Sequence, residues 1–294
     1  MLNYGHLRYF WVVARDGNLT RAAAKLNVSQ STLSVQIRRL EEQLGQRLFE
    51  RRNRQLVLTE AGRIALEHAD SIFAIGEELV STLSRHGGNV PLVLRVGAIA
   101  TLSRNFQIRF LAPALARPDV RIILRSGNLT ALLAELEAHR IDLVLANLAP
   151  FQEPGAGWVS HLIDEQPVSL VARSEQGIDP NQPIADLLRA APLILPTGES
   201  GVRIAFDALV DRLEIHPTVA AEVDDMAMIR LLTRENVGMA IIPPIVVRDE
   251  LNDGVLTEVA SLPDIKEAFH AVVPLRQFPN PLVRTLIDSR DLPE

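Results

Sequence analysis

Gln30, Ser31, Ser34, Val35 and Arg38 recur at spacings that share one side of a helix, and they offer amide, hydroxyl, methyl and guanidinium groups. Those groups read DNA in a major groove: an amide can bridge an adenine edge, a hydroxyl can donate or accept, and an apolar tip meets a thymine methyl. Downstream, Arg51, Arg52 and Arg54 crowd around Asn53, which suits phosphates or the minor groove. The bland alternatives are a solvated helix face and a solvated charge run. Charge balance weighs against them. Through Arg63 there are eleven Lys or Arg against five Asp or Glu, a balance of +6, which leaves −12 for the rest of a chain whose total is −6. A basic end on an acidic body points to a nucleic-acid-binding head on a body that does not bind nucleic acid.

The elements that must position these side chains follow from periodicity. Leu33, Ile37, Leu40 and Leu44 fall at i, i+4, i+7 and i+11, one apolar face of a helix, with Ser29 placed to cap its start and Gly45 to end it in a left-handed turn. Asn18 can cap a short Ala-rich helix running to Leu26, and Asn27 tolerates the left-handed turn between the two. Leu7, Phe10, Trp11 and Ala14 mark a first helix, with Trp11 read as core rather than as a base-stacking ring. Residues 47–59 alternate around a polar centre, a small hairpin with arginines near its tip. Together, residues 1–62 read as a winged helix-turn-helix.

Thr59 can cap the next helix, whose first turn carries Glu60. Ala65, Ala69, Ile72, Gly76, Leu79 and Leu83 then step by 4, 3, 4, 3 and 4, a heptad stripe, and Leu66, Phe73 and Val80 form a second one. Residues 59–88 are therefore expected to be a linker helix that dimerises through Ile72, Leu79 and Leu83. The alternative is a helix lying across its own C-terminal domain. Two winged domains on a symmetric helix pair would read an imperfect palindrome in double-stranded DNA. His86-Gly87-Gly88-Asn89-Val90-Pro91 reads as the linker that follows.

Beyond Pro91, strands alternate with helices: strands at 92–96, 120–124 and 141–146 with helices at 106–116 and 129–139, then strands at 168–172, 193–195, 219–223 and 239–242 with helices at 184–190, 202–213 and 225–235. Alternation of this kind predicts right-handed βαβ units and parallel sheets. A final strand at 269–274 and a helix after Pro281 can return to the first sheet. The body, 91–294, then consists of two α/β subdomains, about 91–164 with 266–294 and about 165–265, crossing over near Asp164 and Ile265 around a hinged cleft. Ligands of such sheets bind beyond the carboxyl ends of strands, where helix N-termini present free N–H groups. Thr101, Ser103, Asn128, Asn147, Thr197 and Arg203 occupy such positions and are the candidates for a small-effector site. Each alone is more often a helix cap; convergence on one cleft is what would make a site. Arg203 suits a carboxylate, or it pairs with Glu199.

The motif His6-Leu7-x-Tyr9-Phe10, Ala22-Ala23, Leu26-x-Val28-Ser29-Gln30, Leu33-Ser34, Ile37-x-x-Leu40-Glu41, Leu44-Gly45, Leu48-Phe49-x-Arg51 and Leu58-Thr59-x-Ala61-Gly62 resembles the N-terminal domain of LysR-type transcriptional regulators. Ser31-Thr32 stands where many members carry proline and a small residue. The resemblance implies a dimerising linker helix, two periplasmic-binding-protein-like α/β subdomains that sense a small molecule or ion, and assembly into homodimers and then tetramers. Within the family, Asn3-Tyr4-x-His6-Leu7-x-Tyr9-Phe10-Trp11 resembles the branch that regulates sodium/proton antiporters.

At 294 residues, 47% hydrophobic and 22% charged, the chain can hold two or three domains with sizeable cores. It has no cysteine, which excludes disulfide and thiolate chemistry. No apolar run approaches the roughly 18 residues of a membrane span, and the first residues lack a signal-peptide pattern, so a cytoplasmic protein with no membrane partner is expected. Catalysis finds little support. Gly198-Glu199-Ser200-Gly201 lacks the glycine that a nucleophile elbow needs at Val202, and the seven histidines have no metal-ligand spacing. Asp224 and Asp225 are adjacent and point apart, and neither a phosphate loop nor a dinucleotide fingerprint occurs. No enzyme, cofactor or metal site is expected. The chain is then either a ligand-responsive transcription factor, activator or repressor, or an architectural DNA-binding protein whose α/β body serves assembly without an effector. The glycine-flanked cleft segments favour the first.

Overall fold

Three helices of the N-terminal region begin on a side-chain cap. Asn3 accepts from the Gly5 and His6 amides to start α1 (Tyr4–Asp16), Asn18 accepts from Thr20 and Arg21 to start α2 (Leu19–Lys25), and Ser29 accepts from Thr32 to start α3 (Gln30–Leu44). Gly17 and Gly45, both at φ 67°, close α1 and α3 in the left-handed conformation, and Asn27 at φ 52° makes the turn between α2 and α3. The faces so aligned bury Leu7, Phe10 and Val13, Ala22 and Ala23, and Leu33, Ile37 and Leu40. Leu44, expected on the same stripe, is 42% exposed, because it is the last residue before the Gly45 turn and lies past the end of the buried face.

The computed structural model describes residues 1–52, 55–84, 91–151, 155–198, 200–276 and 279–288. They form two compact units, one built on Met1–Val90 and the other on Pro91–Glu137 with Ile141–Glu294. In the first, β1 (Phe49–Arg52) and β2 (Gln55–Leu58) pair antiparallel as the wing, with Phe49 opposite Leu58. A carboxylate oxygen of Glu41 accepts from the Leu48 and Phe49 amides, and the Phe49 ring packs tilted against Phe10 with centroids 5.4 Å apart, so the wing is held to both α3 and α1. Thr59 accepts from the Gly62 amide and donates to the Arg47 carbonyl, which starts α4 (Glu60–Ser84) against the wing's base.

The heptad stripe of α4 divides in two. Ala69 is fully buried, and Ala65, Leu66, Ile72 and Phe73 pack on the same winged-domain core, so Ile72, expected at a dimer seam, is partly used within its own chain. Trp11 donates to Asp70 at 2.6 Å, its ring lies 4.8 Å from Phe73, and Arg15 also bonds Asp70, which makes Trp11 a core residue as expected. Farther along, Ile75, Leu79 and Val80 are exposed, Leu79 at 59%. Nothing is described of the Leu83 side chain, and the expected linker at 86–91 lies outside the described residues except for Pro91.

The second unit contains β3 (Leu92–Ile99), α5 (Arg104–Leu115), β4 (Val120–Gly127), α6 (Leu129–Glu137), β5 (Leu143–Ala146), β6 (Trp158–Arg173), α7 (Ile184–Ala190), β7 (Leu193–Pro196), α8 (Gly201–Arg212), β8 (Val219–Val223), α9 (Met226–Arg234), β9 (Met239–Ile242), α10 (Arg248–Asn252), β10 (Leu256–Pro274) and α11 (Pro281–Asp288). The strands lie in the order β4-β3-β5-β10-β6-β9-β7-β8. Within each lobe the βαβ pairs are parallel as expected: β3 with β4 and β5, β7 with β8 and β9. The parallel sheet expected from βαβ alternation is corrected to one mixed sheet that spans both lobes. Its centre is the antiparallel pair β6–β10, which also pairs antiparallel with β5 and β9. The strands expected at 168–172 and 269–274 are only halves of these two. Their other halves carry polar segments such as Asp164-Glu165-Gln166, which read as loop until a partner strand accepts their backbone.

Each lobe has its own core. Leu94, Val96, Phe106, Phe110, Leu143 and Phe269 belong to the first, with the rings of Phe106 and Phe269 4.1 Å apart. Val168, Leu187, Leu195, Phe206, Ile241 and Ile265 belong to the second. Among the described residues, no helix is long and apolar enough to cross a membrane.

A Cβ added to Gly62 would lie 2.1 Å from the Leu48 carbonyl oxygen, a backbone atom that cannot swing aside. Gly62→Ala should therefore destabilise the N-terminal unit by about 1–3 kcal/mol, the usual range for overpacking. Urea unfolding of the full chain carrying Trp158→Phe, which leaves Trp11 as its one tryptophan, measures it by fluorescence; a shift below about 0.5 kcal/mol would mean that the helix start moves freely.

Candidate DNA interface and effector cleft

On α3, burial of Leu33, Ile37 and Leu40 forces the remaining positions outward. Gln30, Ser31, Ser34, Val35 and Arg38 are all exposed. Ser31 shares a 2.8 Å hydroxyl contact with Ser29, so part of its hydrogen-bonding capacity is used at the cap. Between α3 and the wing lies a concave surface of about 850 Å³ to which Ser34, Arg38, Arg47 and Arg51 all contribute. The structure thus brings the recognition face and the wing's first arginine to one surface. Arg47 and Gln46 on this surface were not singled out from sequence, although Arg47 flanks the Gly45 stop, where the chain leaves the helix. Arg54 and the tip at Asn53 lie outside the described residues, and nothing is described of the Arg52 side chain.

In the α/β unit the six candidates separate. Thr101 follows β3 and Asn147 follows β5, neighbouring parallel strands, and the two meet: the Thr101 hydroxyl donates to Asn147 Oδ1 at 3.3 Å, and Asn147 Nδ2 reaches the Thr101 carbonyl at 3.5 Å. Ser103 is fully buried and caps α5 by accepting from the Phe106 amide. Asn128 is exposed and caps α6 by accepting from Ala131. Thr197 is half-buried at the end of β7, with its amide on the Val223 carbonyl. Arg203 is held by Asp207 at 2.8 Å, by Glu222 at 2.9 Å and by the Pro196 carbonyl at 3.2 Å. Its sequence-stated alternative partner, Glu199, lies outside the described residues.

Glu267 joins Thr101 and Asn147 and was missed. It is 2% exposed and accepts from Asn147 Nδ2 at 2.7 Å, while its other oxygen, Oε2, is buried with no hydrogen-bond partner among the described residues. Burial pushes its pKa up to about 7, and the Asn147 hydrogen bond offsets part of that rise. A signal was present in the sequence: Ile265, Glu267, Phe269 and Ala271 alternate as a strand, and one of the four inward positions is a carboxyl. Nearby, Asn105 on α5 is buried and donates to the Ile245 carbonyl beyond β9, a side-chain link between elements of the two lobes.

A helix-turn-helix unit whose concave face carries Ser34, Arg38, Arg47 and Arg51 beside Glu41, Glu42 and Glu50, followed in one chain by a two-lobed α/β body, defines a DNA-binding regulator with a ligand-sensing domain. The chain belongs to the LysR family of bacterial regulatory helix-turn-helix proteins: residues 4–63 match that helix-turn-helix domain and residues 89–289 match the LysR substrate binding domain. It is a transcriptional regulator, not an enzyme. It is 26% identical to the transcriptional activator protein NhaR of Escherichia coli K12 over 98% of this chain and 95% of the relative. Its fold matches a full-length OxyR variant from Pseudomonas aeruginosa with a TM-score of 0.67 and 25% identity, over 99% of this chain and 95% of the other. It also matches full-length CbnR complexed with its target DNA, with a TM-score of 0.68 and 23% identity, over 98% and 99% of the two chains.

A carboxyl whose pKa rises from 4.5 when exposed to about 7 when folded binds its proton more tightly in the native state. Its contribution to stability is full below about pH 4.5 and is lost as pH climbs through about 7. Glu267→Gln, which stays neutral, should therefore gain stability relative to wild type across that window, by roughly 2–3 kcal/mol at pH 8. Urea unfolding of both proteins at pH 5, 6, 7 and 8 measures the difference; parallel pH profiles would show that Glu267 is ionised in the fold at no cost.

Proposed function

We propose that this regulator reads its operator with Gln30, Ser31, Ser34 and Val35 at base edges, while Arg38, Arg51, Arg52 and Arg54 meet phosphates or the minor groove. The concave surface shared by Ser34, Arg38 and Arg51 is the observation that supports this assignment. It acts as a homodimer through the C-terminal half of α4, where Leu79 remains exposed, on an imperfect palindrome of double-stranded DNA. A small molecule or ion binds the α/β cleft near Thr101, Ser103 and Asn147, with Thr197 and Arg203 on the facing lobe, and alters DNA binding. Ser103 and Asn128 are weaker members, since their side chains are already used as caps. Its place of action is the cytoplasm, where operator DNA lies.

Gel-shift titrations across salt concentrations test the DNA face. Arg38→Ala and Arg51→Ala should weaken binding alike for all sequences and reduce the salt slope by about one unit each, whereas Gln30→Ala should change preference by about 1–3 kcal/mol at a single base step. If all three variants keep wild-type affinity and preference, the recognition face lies elsewhere. An architectural protein would instead bind with DNA affinity indifferent to every metabolite or ion tried.

Leu79→Asp would place a charge in the apolar seam and should cost several kcal/mol of association. Sedimentation velocity at micromolar protein should show a dimer for wild type and a monomer for the variant. A wild type that sediments as a monomer yet holds its operator tightly would remove α4 from the dimer.

A further inference from the structure

Glu267 stands between two cores. On β10, Ile265 packs in the second-lobe core and Phe269 in the first, and strand alternation puts Glu267 on the same face between them. Its Oε1 is engaged by Asn147, which is itself held by Thr101, while Oε2 is buried and unpartnered among the described residues. A carboxylate offers about four acceptor sites, and burying one of its oxygens bare costs free energy unless a donor or a counter-charge arrives. Among the described residues, neighbouring elements do not supply one. From β6, Gln166 lies opposite Glu267 in the register and gives its amide to Asp164, which pairs with Arg109 of α5. Phe106 of α5 stacks on Phe269, and Val202 and Phe206 of α8 share an apolar cluster with Ile265. On β10 itself, Lys266 pairs with Glu165 and His270 contacts Ser160.

Resting on the reading of this cleft as the effector site, we propose that Glu267, with Asn147 and Thr101, receives a protonated nitrogen of the effector, an ammonium or primary amine whose N–H groups meet Oε2. Above about pH 7, where Glu267 is ionised, an effector carboxylate placed here would meet like charge, which disfavours the anionic class there. Among the described residues no group of three or more His, Cys, Asp or Glu could hold a metal ion, so a zinc-type site finds no support here. The crossover position gives the bond its consequence. A cation held at Glu267 adds charge and a hydrogen bond at the strand segment where the two lobes meet, so its arrival biases the angle between them.

Proton linkage supplies a signature. Burial lets the carboxyl keep its proton up to about pH 7, and an ammonium group displaces that proton. Affinity for the cation should then be about tenfold tighter at pH 8 than at pH 6.

The experiment is thermal unfolding of the full chain, wild type, Glu267→Gln and Asn147→Ala, at pH 6 and pH 8. Titrants are the chlorides of ammonium, methylammonium and tetramethylammonium, and the sodium salts of acetate and benzoate, at matched ionic strength. Ammonium or methylammonium should raise the wild-type Tm, with a half-saturating concentration about tenfold lower at pH 8. Tetramethylammonium, which has no N–H, should do nothing; Asn147→Ala should respond more weakly and Glu267→Gln not at all. Equal stabilisation of wild type and Glu267→Gln, or equal strength at both pH values, overturns the assignment. Stabilisation by acetate or benzoate alone overturns the amine class yet leaves the cleft as an effector site. No response to any titrant overturns the amine class as well, while the DNA-binding titrations continue to test the regulator itself.

Discussion

Antiparallel pairing of β6 with β10 is the constraint on which the α/β body depends. The ladder runs from Trp158 opposite Pro274 to Arg173 opposite Leu256, so both strands pass through both lobes. One edge of the pair accepts β5 at His270–Val272 and the other accepts β9 at Ser169–Val171, and each lobe's parallel strands extend outward from there. The register shifts between Leu262 and Lys266 and between Phe269 and His270, bracketing the polar segment where the chain leaves one core for the other. Bulges of this kind interrupt the ladder and increase local twist. The lobes are therefore joined where the sheet is least regular, and Glu267 is buried in that segment.

That arrangement explains which of the candidate effector residues remain available. Ser103 and Asn128 spend their side-chain oxygens on helix N-termini, where an uncapped amide would cost about 1 kcal/mol. Arg203 is neutralised by two carboxylates of its own lobe. Thr101, Asn147 and Glu267 instead bond to one another, and this series of bonds ends at Glu267 Oε2, which has no donor among the described residues. A partly satisfied buried network is energetically poor in an empty protein, and sites of function are where such a cost is tolerated.

In the N-terminal unit the corresponding constraint is close backbone contact. Gly62 lets α4 start against the Leu48 carbonyl, and Glu41 holds the wing's first amides. With the wing fixed to α3, Arg51 is carried to the same concave surface as Ser34 and Arg38. Trp11, Asp70 and Phe73 then fasten α4 to α1, which consumes the first half of the heptad stripe and leaves the second half exposed.

Local signals were legible in the sequence because local physics sets them. The caps at Asn18 and Ser29, the left-handed turns at Asn27 and Gly45, the Thr59 start of α4 and the apolar phase of α3 all follow from a few neighbouring residues. The helix-turn-helix motif spans one continuous stretch, so its spacing identified the family before any fold was described. The βαβ alternation likewise located most strands and helices of the body. Tertiary structure decided what depends on distant partners. Half of β6 and half of β10 are too polar to read as strands, and become strands only because each supplies the other's backbone hydrogen bonds across about a hundred residues of chain. Ile72 looks like any other heptad position until the winged domain covers it. Glu267 is one acidic residue among many in the sequence; the fold buries it between two cores beside Asn147, and burial is what raises its affinity for a proton.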